Sequence, residues 1–413
     1  MRVLTAACAL VLVACHGSGS GPSGPEVPRL PAEGDAVTLQ QILDGALDPD
    51  EGLLRIARSG GLPIQTSQGF LFALRVDITE PYALSSPNGR FADVTTRTDR
   101  GVAWALVPVA EPAGARFLWR PRSGSNFQAD PLCRHLRYVY PDPPAEPQNQ
   151  IQLVRPDGAH LERWPGVGDA KIPARTIRVW VPAGPVARIM YAHDGKNLFD
   201  MVQPFGSWRL QDAAGPGTMI VGIDQSSDRF AEYTGVQDLG GQGGRGDDYA
   251  DYVQHTVIPF VESRYGAAPV RGVMGSSLGG VISYHHALRY PGTFQLVASM
   301  SGTMGWGSIA DGTHNPTPID RFEALSACPA GTTFYLDSGG GPGAGCVDAD
   351  ADGIRDDASG SADNFCENAQ LRDVLVALCG AQKVEYVWVE GAPHQEGAWR
   401  NRSPHLLSVF EGR

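Results

Sequence analysis

The chain has few basic residues for its length, with 33 lysines and arginines against 45 aspartates and glutamates and a formal net charge of −12. A nucleic-acid partner requires a basic face, so this balance argues against one. The seven cysteines contain no C-x-x-C pair, which argues against a structural zinc site of that type. No internal repeat is present, and 42% hydrophobic with 19% charged residues excludes wholesale disorder. The 413 residues instead suggest two or three domains, each with a buried core.

The first residues are typical of an export signal. Arg2 supplies a positive charge, and residues 6–14 form an apolar run that is too short to span a bilayer. The run ends in L-V-A-C, which resembles a bacterial lipobox, so we expect a signal peptide at 1–14 and lipidation of Cys15. The alternative is an ordinary cleaved signal with an incidental cysteine. In both cases we expect an exported protein in a compartment that permits disulfides. It would be a bacterial cell-envelope lipoprotein that reaches the membrane only through its lipid anchor, or a periplasmic or secreted protein if Cys15 is not lipidated.

The rest of the chain divides by composition into three stretches. Residues 15–38 are a flexible tether, rich at first in glycine, serine and proline. Residues 39–147 begin with short helical segments and continue with strand-like runs between turn residues, which predicts a small β-sandwich. The proline-rich run at 141–147 is a candidate boundary. From 148 to 413 apolar strand-like and helical segments alternate, which predicts a mostly parallel sheet covered by helices on both faces.

The sequence predicts seven strands and four helices in this last stretch. Strands are expected at residues 176–181, 187–191, 219–223, 270–274, 296–300, 333–336 and 384–389. Helices are expected at 248–265, 278–290, 368–378 and 404–410.

Ser277 stands at the centre of a G-x-S-x-G run between the strand at 270–274 and the helix at 278–290. This strand–turn–helix setting is what a nucleophile elbow requires, because a Cβ at either flanking glycine would clash with the strand or the helix. The pentapeptide alone is a weak signal in a chain with 51 glycines, and its context carries the interpretation. A serine nucleophile also needs a base and an acid that orients that base.

The base and the acid should follow Ser277 along the chain, in the order acid then histidine. His394 follows the last predicted strand in a Gly/Pro loop, which makes it the expected base. The acid should lie between the strand at 333–336 and the helix at 368–378. Asp363 fits if an acidic insertion separates it from the preceding turn, and Asp337 at the strand end is the alternative.

Several motifs in the same order resemble the putative-esterase family of α/β-hydrolases, which groups enterochelin-esterase-like, esterase-D-like and feruloyl-esterase-like enzymes. They are M-Y-A-H-D-G-K-N-L-F-D at 190–200, I-V-G-I-D at 220–224, the elbow at 275–280 and G-A-P-H-Q-E at 391–396. The resemblance covers about residues 170–410. It implies an α/β-hydrolase fold and a serine hydrolase that cleaves a carboxylic ester through an acyl-enzyme. The preceding sandwich more loosely resembles an immunoglobulin-like domain.

Four further residues complete the expected site. The N–H of Leu278, the residue after the nucleophile, should be one oxyanion donor. The resemblance implies the N–H of Lys196 as the second donor, and a supporting role for His193 beside the active-site loop. Trp306 either lines the acyl pocket or is a core tryptophan. Catalysis of this kind needs no cofactor, and the expected substrate is a small-molecule or carbohydrate-linked ester.

Two other functions stay open from the sequence. A related branch of this fold transfers acyl groups to alcohols rather than to water. The spacing around the acid is broken, so a catalytically impaired surface-binding protein is also compatible with the sequence.

The insertion at 338–366 is rich in carboxylates. Oxygen ligands occupy positions 1, 3, 5 and 9 of a loop with Gly353 at position 6, as in the first part of an EF-hand calcium loop. Position 12 is Ser359 instead of glutamate. We expect a structural calcium ion here, and the alternative is a solvated acidic loop. The expected ligands are Asp348, Asp350, Asp352 and Asp356.

The expected positions of the C-terminal cysteines in the fold predict how they pair. Cys328 precedes a strand and Cys379 ends the helix that follows it, so both should lie at the bottom of the sheet. Cys346 and Cys366 bracket the insertion at the top. The expected disulfides are therefore Cys328–Cys379 and Cys346–Cys366, with Cys133 unpaired.

Overall fold

The computed structural model describes residues 27–77, 81–121, 128–139, 148–199, 206–310, 312, 314–343, 345–357 and 363–413. The expected signal peptide at 1–14, Cys15, the first part of the tether, the proline-rich run at 141–147 and Ser359 lie outside these residues. Within the described ranges, none of the helices combines the length and the apolar character needed to cross a bilayer.

The N-terminal part has two helices followed by short strands. Helix α2 begins where Asp48 accepts hydrogen bonds from the amides of Asp50 and Glu51, with Pro49 at the first helical position. The elements are α1 Gly34–Leu43, α2 Pro49–Arg58, β1 Ile64–Thr66, β2 Gly69–Arg75, β3 Tyr82–Ser85, β4 Val94–Thr95, β5 Arg97–Asp99, β6 Val102–Val107 and β7 Leu118–Pro121.

These seven strands form two sheets, with strand orders β1-β2-β6-β5 and β4-β3-β7. On β2, Phe70 and Phe72 point into a core shared with Trp119 of the other sheet. The alternate residues Leu71 and Ala73 pack against α1 and α2, as the two-residue period of a strand requires. A β-sandwich is therefore present in this part of the chain, and its likeness to an immunoglobulin domain stays a prediction.

The C-terminal part is built on one ten-stranded sheet. Its strands are β8 His135–Val139, β9 Gln148–Gln152, β10 His160–Val167, β11 Arg175–Val181, β12 Arg188–His193, β13 Thr218–Ile223, β16 Val270–Ser276, β17 Leu296–Met300, β18 Thr333–Ser338 and β19 Val384–Trp388, while β14 Gln237–Asp238 and β15 Gln242–Gly243 form a separate hairpin. The order across the sheet is β19-β18-β17-β16-β12-β13-β11-β10-β8-β9. Six neighbouring strands pair in parallel, namely β13, β12, β16, β17, β18 and β19. The other four, β11, β10, β8 and β9, are joined by antiparallel pairings.

Helices cover both faces of this sheet. On β12, Ile189 and Tyr191 face one core, whereas Met190 and Ala192 face the other. Helices α6 to α10 pack on the first side, and α3, α4 and α11 pack on the second. The α/β-hydrolase fold expected from the sequence is confirmed. The helices are α3 Lys196–Phe199, α4 Leu210–Ala213, α5 Arg229–Glu232, α6 Gly246–Tyr252, α7 Ile258–Tyr265, α8 Leu278–Arg289, α9 Pro318–Glu323, α10 Phe365–Cys379 and α11 Glu396–Glu411, with a π-helical turn at Val253–Val257 and a 3₁₀ turn at Ala381–Lys383.

The large sheet extends across the stretch where the sequence predicts a domain boundary. Strand β8 precedes the proline-rich run and β9 follows it, and the two strands pair antiparallel. Strand β8 also pairs with β10, and Ile151 of β9 contributes to the core of the sandwich. The boundary at 147 therefore falls inside a hairpin that both parts of the chain share.

Helix α11 begins eight residues before the expected start at Pro404. A proline in a helix interior lacks the N–H that would bond the carbonyl four residues back. Here the Ser403 hydroxyl donates a hydrogen bond to the carbonyl of Arg400 at 2.9 Å and satisfies that group. The earlier half of the helix matters because it carries Trp399 and Arg402 to the candidate site.

Candidate active site

Ser277 occupies the sharp turn between β16 and α8. Its backbone has φ 54° and ψ −126°, a strained conformation for a residue with a side chain. A Cβ on Gly275 would lie 2.5 Å from the backbone of Gly279, so the chain can cross itself here only because glycine stands at this position. This local geometry is that of a nucleophile elbow. The Ser277 hydroxyl has no hydrogen-bond partner among the described residues, which leaves it available.

His394 and Asp363 form a hydrogen-bonded pair. Nδ1 of His394 lies 2.7 Å from Oδ1 of Asp363. Because a carboxylate accepts, the proton belongs on Nδ1 and Nε2 is left as an acceptor for another proton. The two residues and Ser277 follow the carboxyl ends of β19, β18 and β16, so all three lie along one edge of the parallel sheet. A third of the His394 side chain is exposed, whereas Asp363 is buried.

The second oxygen of Asp363 is surrounded by donors. The Ser301 hydroxyl lies 2.6 Å from Oδ2, the amide of Gly339 also donates to it, and the guanidinium of Arg402 lies 3.4 Å away. A buried carboxylate needs such partners in order to remain charged. Asp363 is therefore held in position on the side opposite His394.

Asp337, the alternative acid, has different partners. Its side chain accepts a hydrogen bond from the Tyr335 hydroxyl at 3.1 Å and lies 3.0 Å from the guanidinium of Arg402. It has no hydrogen bond to His394 within the described part of the chain. Burial raises the pKa of Asp337 to about 7, against the opposing effect of Arg402. The structure thus brings Asp363, and not Asp337, to the histidine.

The two backbone amides expected as oxyanion donors, those of Leu278 and Lys196, have no internal backbone acceptor among the described residues. Leu278 is the first residue of α8, so its N–H has no partner four residues back. The amides on either side of Lys196 are used, since Gly195 donates to Ile223 at 2.8 Å and Asn197 donates to Asp194 at 2.9 Å. Among the described residues the Lys196 amide has no such acceptor. Both amides are therefore free to act as the oxyanion donors expected from the sequence, and that role stays a prediction.

A partly buried ion pair supports the loop that carries Lys196. Asp194 has φ 59°. Its carboxylate accepts hydrogen bonds from Nε and Nη2 of Arg229 at 2.7 and 2.8 Å. Its amide donates to the hydroxyl of Tyr233 at 3.2 Å. Arg229 also approaches the carbonyl of Ser276 at 3.5 Å, next to the nucleophile. The bidentate pair therefore links the loop to the elbow.

The other two expected site residues are buried. His193 is 1% exposed and pairs through Nδ1 with the Tyr249 hydroxyl at 3.1 Å, and burial lowers its pKa to about 3. It lies behind the loop in a supporting position. Trp306 is 2% exposed, and its indole N–H donates to the carbonyl of Val236 at 2.9 Å. Trp306 is thus a core tryptophan, which is the second of the two readings of the sequence.

Three of the four expected calcium ligands come together in the insertion. Carboxylate oxygens of Asp348, Asp350 and Asp356 lie within 4.8 Å of one another. Asp352 does not join them, because its carboxylate accepts hydrogen bonds from the hydroxyl of Ser308 and from the amide of Ile354. The structure therefore reduces the ligand set to three residues, and calcium binding stays a prediction.

Both expected disulfides are present in the structure. Cys328 is joined to Cys379 with a Cα–Cα distance of 4.9 Å, and Cys346 is joined to Cys366 with a distance of 5.3 Å. Cys133 is free and buried. The Cys346–Cys366 bond closes the insertion three residues from Asp363.

Sequence reasoning missed the residues that hold the acid and the loop in position. Their place inside or beside the quoted motifs could have indicated three of these residues, Asp194, Arg229 and Trp399. Ser301 and Arg402 carry no comparable signal, because they meet Asp363 only after three distant segments have come together.

The sequence is similar to those of known proteins. The model of the family described as putative esterase matches residues 175–404. The uncharacterized protein YbbA of Bacillus subtilis (strain 168) is 29% identical over 142 residues, which are 30% of this chain and 53% of YbbA. The chain thus spans about half the length of this relative.

Solved structures are also similar to this chain at low sequence identity. An IroE-like serine hydrolase from Shewanella oneidensis is 15% identical, with a TM-score of 0.45, over 60% of this chain and 80% of that one. The ferric enterobactin esterase of Salmonella typhimurium is 14% identical, with a TM-score of 0.45, over 84% and 96%. The siderophore hydrolase EstB of Aspergillus nidulans is 16% identical, with a TM-score of 0.44, over 60% and 94%. Since the family model spans more than half of the sequence, this chain belongs to the putative esterase family.

Proposed function

We propose that the chain is an exported serine esterase that hydrolyses a carboxylic ester through an acyl-enzyme. The Ser277 hydroxyl attacks the ester carbonyl while Nε2 of His394 accepts its proton. Asp363 holds the imidazole by its Nδ1 proton and stabilises the imidazolium that forms. The amides of Leu278 and Lys196 donate to the oxyanion of the tetrahedral intermediate.

His394 transfers the protons in both halves of the reaction. The imidazolium returns its proton to the leaving alcohol as the first intermediate collapses to the acyl-enzyme. Water then attacks the acyl carbon, His394 takes the proton of that water, and the carboxylic acid leaves as Ser277 is protonated again. No metal or cofactor takes part in this scheme.

The observation that carries the proposal is the 2.7 Å contact between His394 and Asp363 on the edge of the sheet where Ser277 occupies its elbow. Membership of the family supports ester hydrolysis. The two disulfides and the N-terminal sequence support export, with Cys15 as the lipid-bearing residue. The substrate is a small-molecule or carbohydrate-linked ester.

The test uses Ser277→Ala beside Ser283→Ala. Ser283 is a buried serine of α8 whose hydroxyl donates to the carbonyl of Gly279, and it takes no part in the scheme. We expect Ser277→Ala to lose both ester hydrolysis and labelling by a fluorophosphonate, while Ser283→Ala keeps both. A panel of aryl, acetyl, feruloyl and siderophore-type esters, assayed with and without an added alcohol, identifies the substrate and the acyl acceptor. Full activity of Ser277→Ala would overturn the proposal.

A further inference from the structure

A second cluster of chemically active side chains lies on the antiparallel part of the large sheet. His160 and Glu162 stand two residues apart on β10, so their side chains share one face. His135 of β8 is directly opposite Glu162 in the register, which places it on that face too. One ligand atom from each of the three residues lies within 4.8 Å of the other two.

The two ring nitrogens of His160 both face hydrogen-bond acceptors. Nδ1 lies 2.9 Å from the carbonyl of Gly158, and Nε2 lies 2.9 Å from Oε1 of Glu162. A neutral imidazole donates through one nitrogen only. The Gly158 carbonyl fixes that proton on Nδ1, so a positive charge is required between Nε2 and the carboxylate. This charge is either a second proton or a metal ion.

His135 provides the observation that separates these two cases. Its Nδ1 is buried, has no hydrogen-bond partner among the described residues, and lies 3.9 Å from the same Oε1 of Glu162. A second proton on His160 leaves this nitrogen unsatisfied. A metal ion placed among the three atoms satisfies both imidazoles and the carboxylate together.

Glu162 and His160 have outer hydrogen-bond partners of the kind that surround metal ligands. The other oxygen of Glu162 accepts a hydrogen bond from the Tyr265 hydroxyl, which in turn accepts from the indole N–H of Trp164 at 2.7 Å. Outer hydrogen bonds of this kind, including that from His160 to Gly158, orient ligating groups. The competing cation is Arg155, whose Nε lies 3.8 Å from Oε1 and whose side chain is 61% exposed. It can turn outward when an ion enters.

We propose that His135, His160 and Glu162 bind a divalent transition-metal ion of the zinc class. A tetrahedral zinc ion, with bonds of about 2.0–2.2 Å, holds its ligand atoms about 3.4 Å apart. The observed separations from Oε1 of 2.9 and 3.9 Å lie on either side of that value. Two imidazoles and one carboxylate suit zinc better than calcium, which takes oxygen ligands. Water completes the fourth position.

The metal would have a structural role. The register pairs His160 with Val181, the last residue of β11, and pairs Trp180 of β11 with Ile220 near the start of β13. The cluster therefore lies toward the amino ends of the parallel strands, away from the edge that carries Ser277. It joins β8, which precedes the proline-rich run, to β10, which follows it.

The test measures metal content and stability of the full chain. After incubation with zinc and dialysis against metal-free buffer, elemental analysis should find one zinc ion in the wild type that His135→Gln and His160→Gln lack. Zinc should raise the melting temperature of the wild type and leave that of the variants unchanged. The matched control is His405→Gln, which removes an exposed histidine that lies 2.8 Å from Glu385. Among the described residues this pair has no third ligand. This variant should keep the ion.

Two results would overturn the proposal. One is a wild type that retains no zinc and gives no visible absorption spectrum of bound Co²⁺, which would leave a doubly protonated His160 as the explanation. The other is a folded His135→Gln variant with the same zinc content as the wild type. The Co²⁺ spectrum needs no variant, so it decides the question even if His160→Gln fails to fold.

Discussion

The Ser301 hydroxyl donates a hydrogen bond of 2.6 Å to Oδ2 of Asp363, on the side of the carboxylate away from His394. The same hydroxyl oxygen accepts from the indole N–H of Trp399 at 3.0 Å and from the guanidinium of Arg402 at 2.6 Å. A hydroxyl has one proton to give, and here it goes to Asp363. Trp399 therefore reaches the candidate acid through this one buried oxygen atom, whereas Arg402 also approaches Oδ2 directly at 3.4 Å.

Ser301→Ala should lower kcat by about 10- to 100-fold and change KM little, because a hydrogen bond to a charged group contributes about 1.5–3 kcal/mol. Loss of this donor loosens Asp363 and with it the imidazole. Steady-state kinetics measure the effect. The control is Ser299→Ala, two residues earlier on β17, whose hydroxyl has no partner within the described ranges. Equal losses in the two variants would indicate a general packing effect and contradict the prediction.

The two candidate acids can be separated by the same substitution at each. Asp363→Asn should lower kcat by a factor on the order of 10⁴, because an amide in this place favours the wrong tautomer of His394. Asp337→Asn should cost far less activity, since its carboxylate contacts Tyr335 and Arg402 instead. The measurement is kcat for each folded variant. The reverse ranking would assign the acid to the end of β18.

The sequence predicts the elbow because every group that shapes it is close in the chain. Strand β16, Ser277 and α8 are consecutive, and a Cβ on Gly275 would first meet the backbone of its near neighbour Gly279. Asp363 is harder to predict, because 24 positions separate it from the Gly339 amide that donates to it. Only the folded loop shows that it, rather than Asp337, meets His394.

The remaining differences have similar physical causes. Pro404 suggests a helix start, yet the Ser403 hydroxyl satisfies the carbonyl that proline leaves free, so α11 continues through it. The proline-rich run suggests a boundary, yet β8 and β9 on its two sides pair with each other. At Pro404 the hydroxyl of a neighbouring residue replaces the hydrogen bond that proline removes. At the proline-rich run the flanking strands pair with each other. Residue propensity alone predicts neither contact.

Calcium binding to the insertion can be tested by a charge-matched pair of variants. Asp350→Asn removes one of the three converging carboxylates, whereas Asp352→Asn removes the same charge from a side chain bonded to Ser308. We expect calcium to raise the melting temperature of the wild type and of Asp352→Asn, and to have less effect on Asp350→Asn. Isothermal titration gives the affinities. Equal weakening in both variants would indicate only the general field of an acidic loop.

The two disulfides should differ in their effect on catalysis. Cys346 and Cys366 are 20 residues apart and close the insertion, while Cys328 and Cys379 are 51 residues apart and join the start of β18 to the end of α10. Replacing either pair by serine should reduce the free energy of unfolding by roughly 3–4 kcal/mol in the chain-entropy model. Denaturant unfolding under non-reducing conditions measures this loss.

Only loss of the Cys346–Cys366 disulfide should also lower kcat. The amide of Cys366 donates to the carboxylate of Asp357 at 2.7 Å, so the bond to Cys346 anchors both ends of the segment that leads into Asp363. Opening this loop gives Asp363 more conformations and lowers the fraction of time it spends on His394. The Cys328/Cys379 variant should lose similar stability at the opposite end of the sheet from the candidate triad. A fall in kcat for both variants, or for neither, would show that the insertion does not hold the acid.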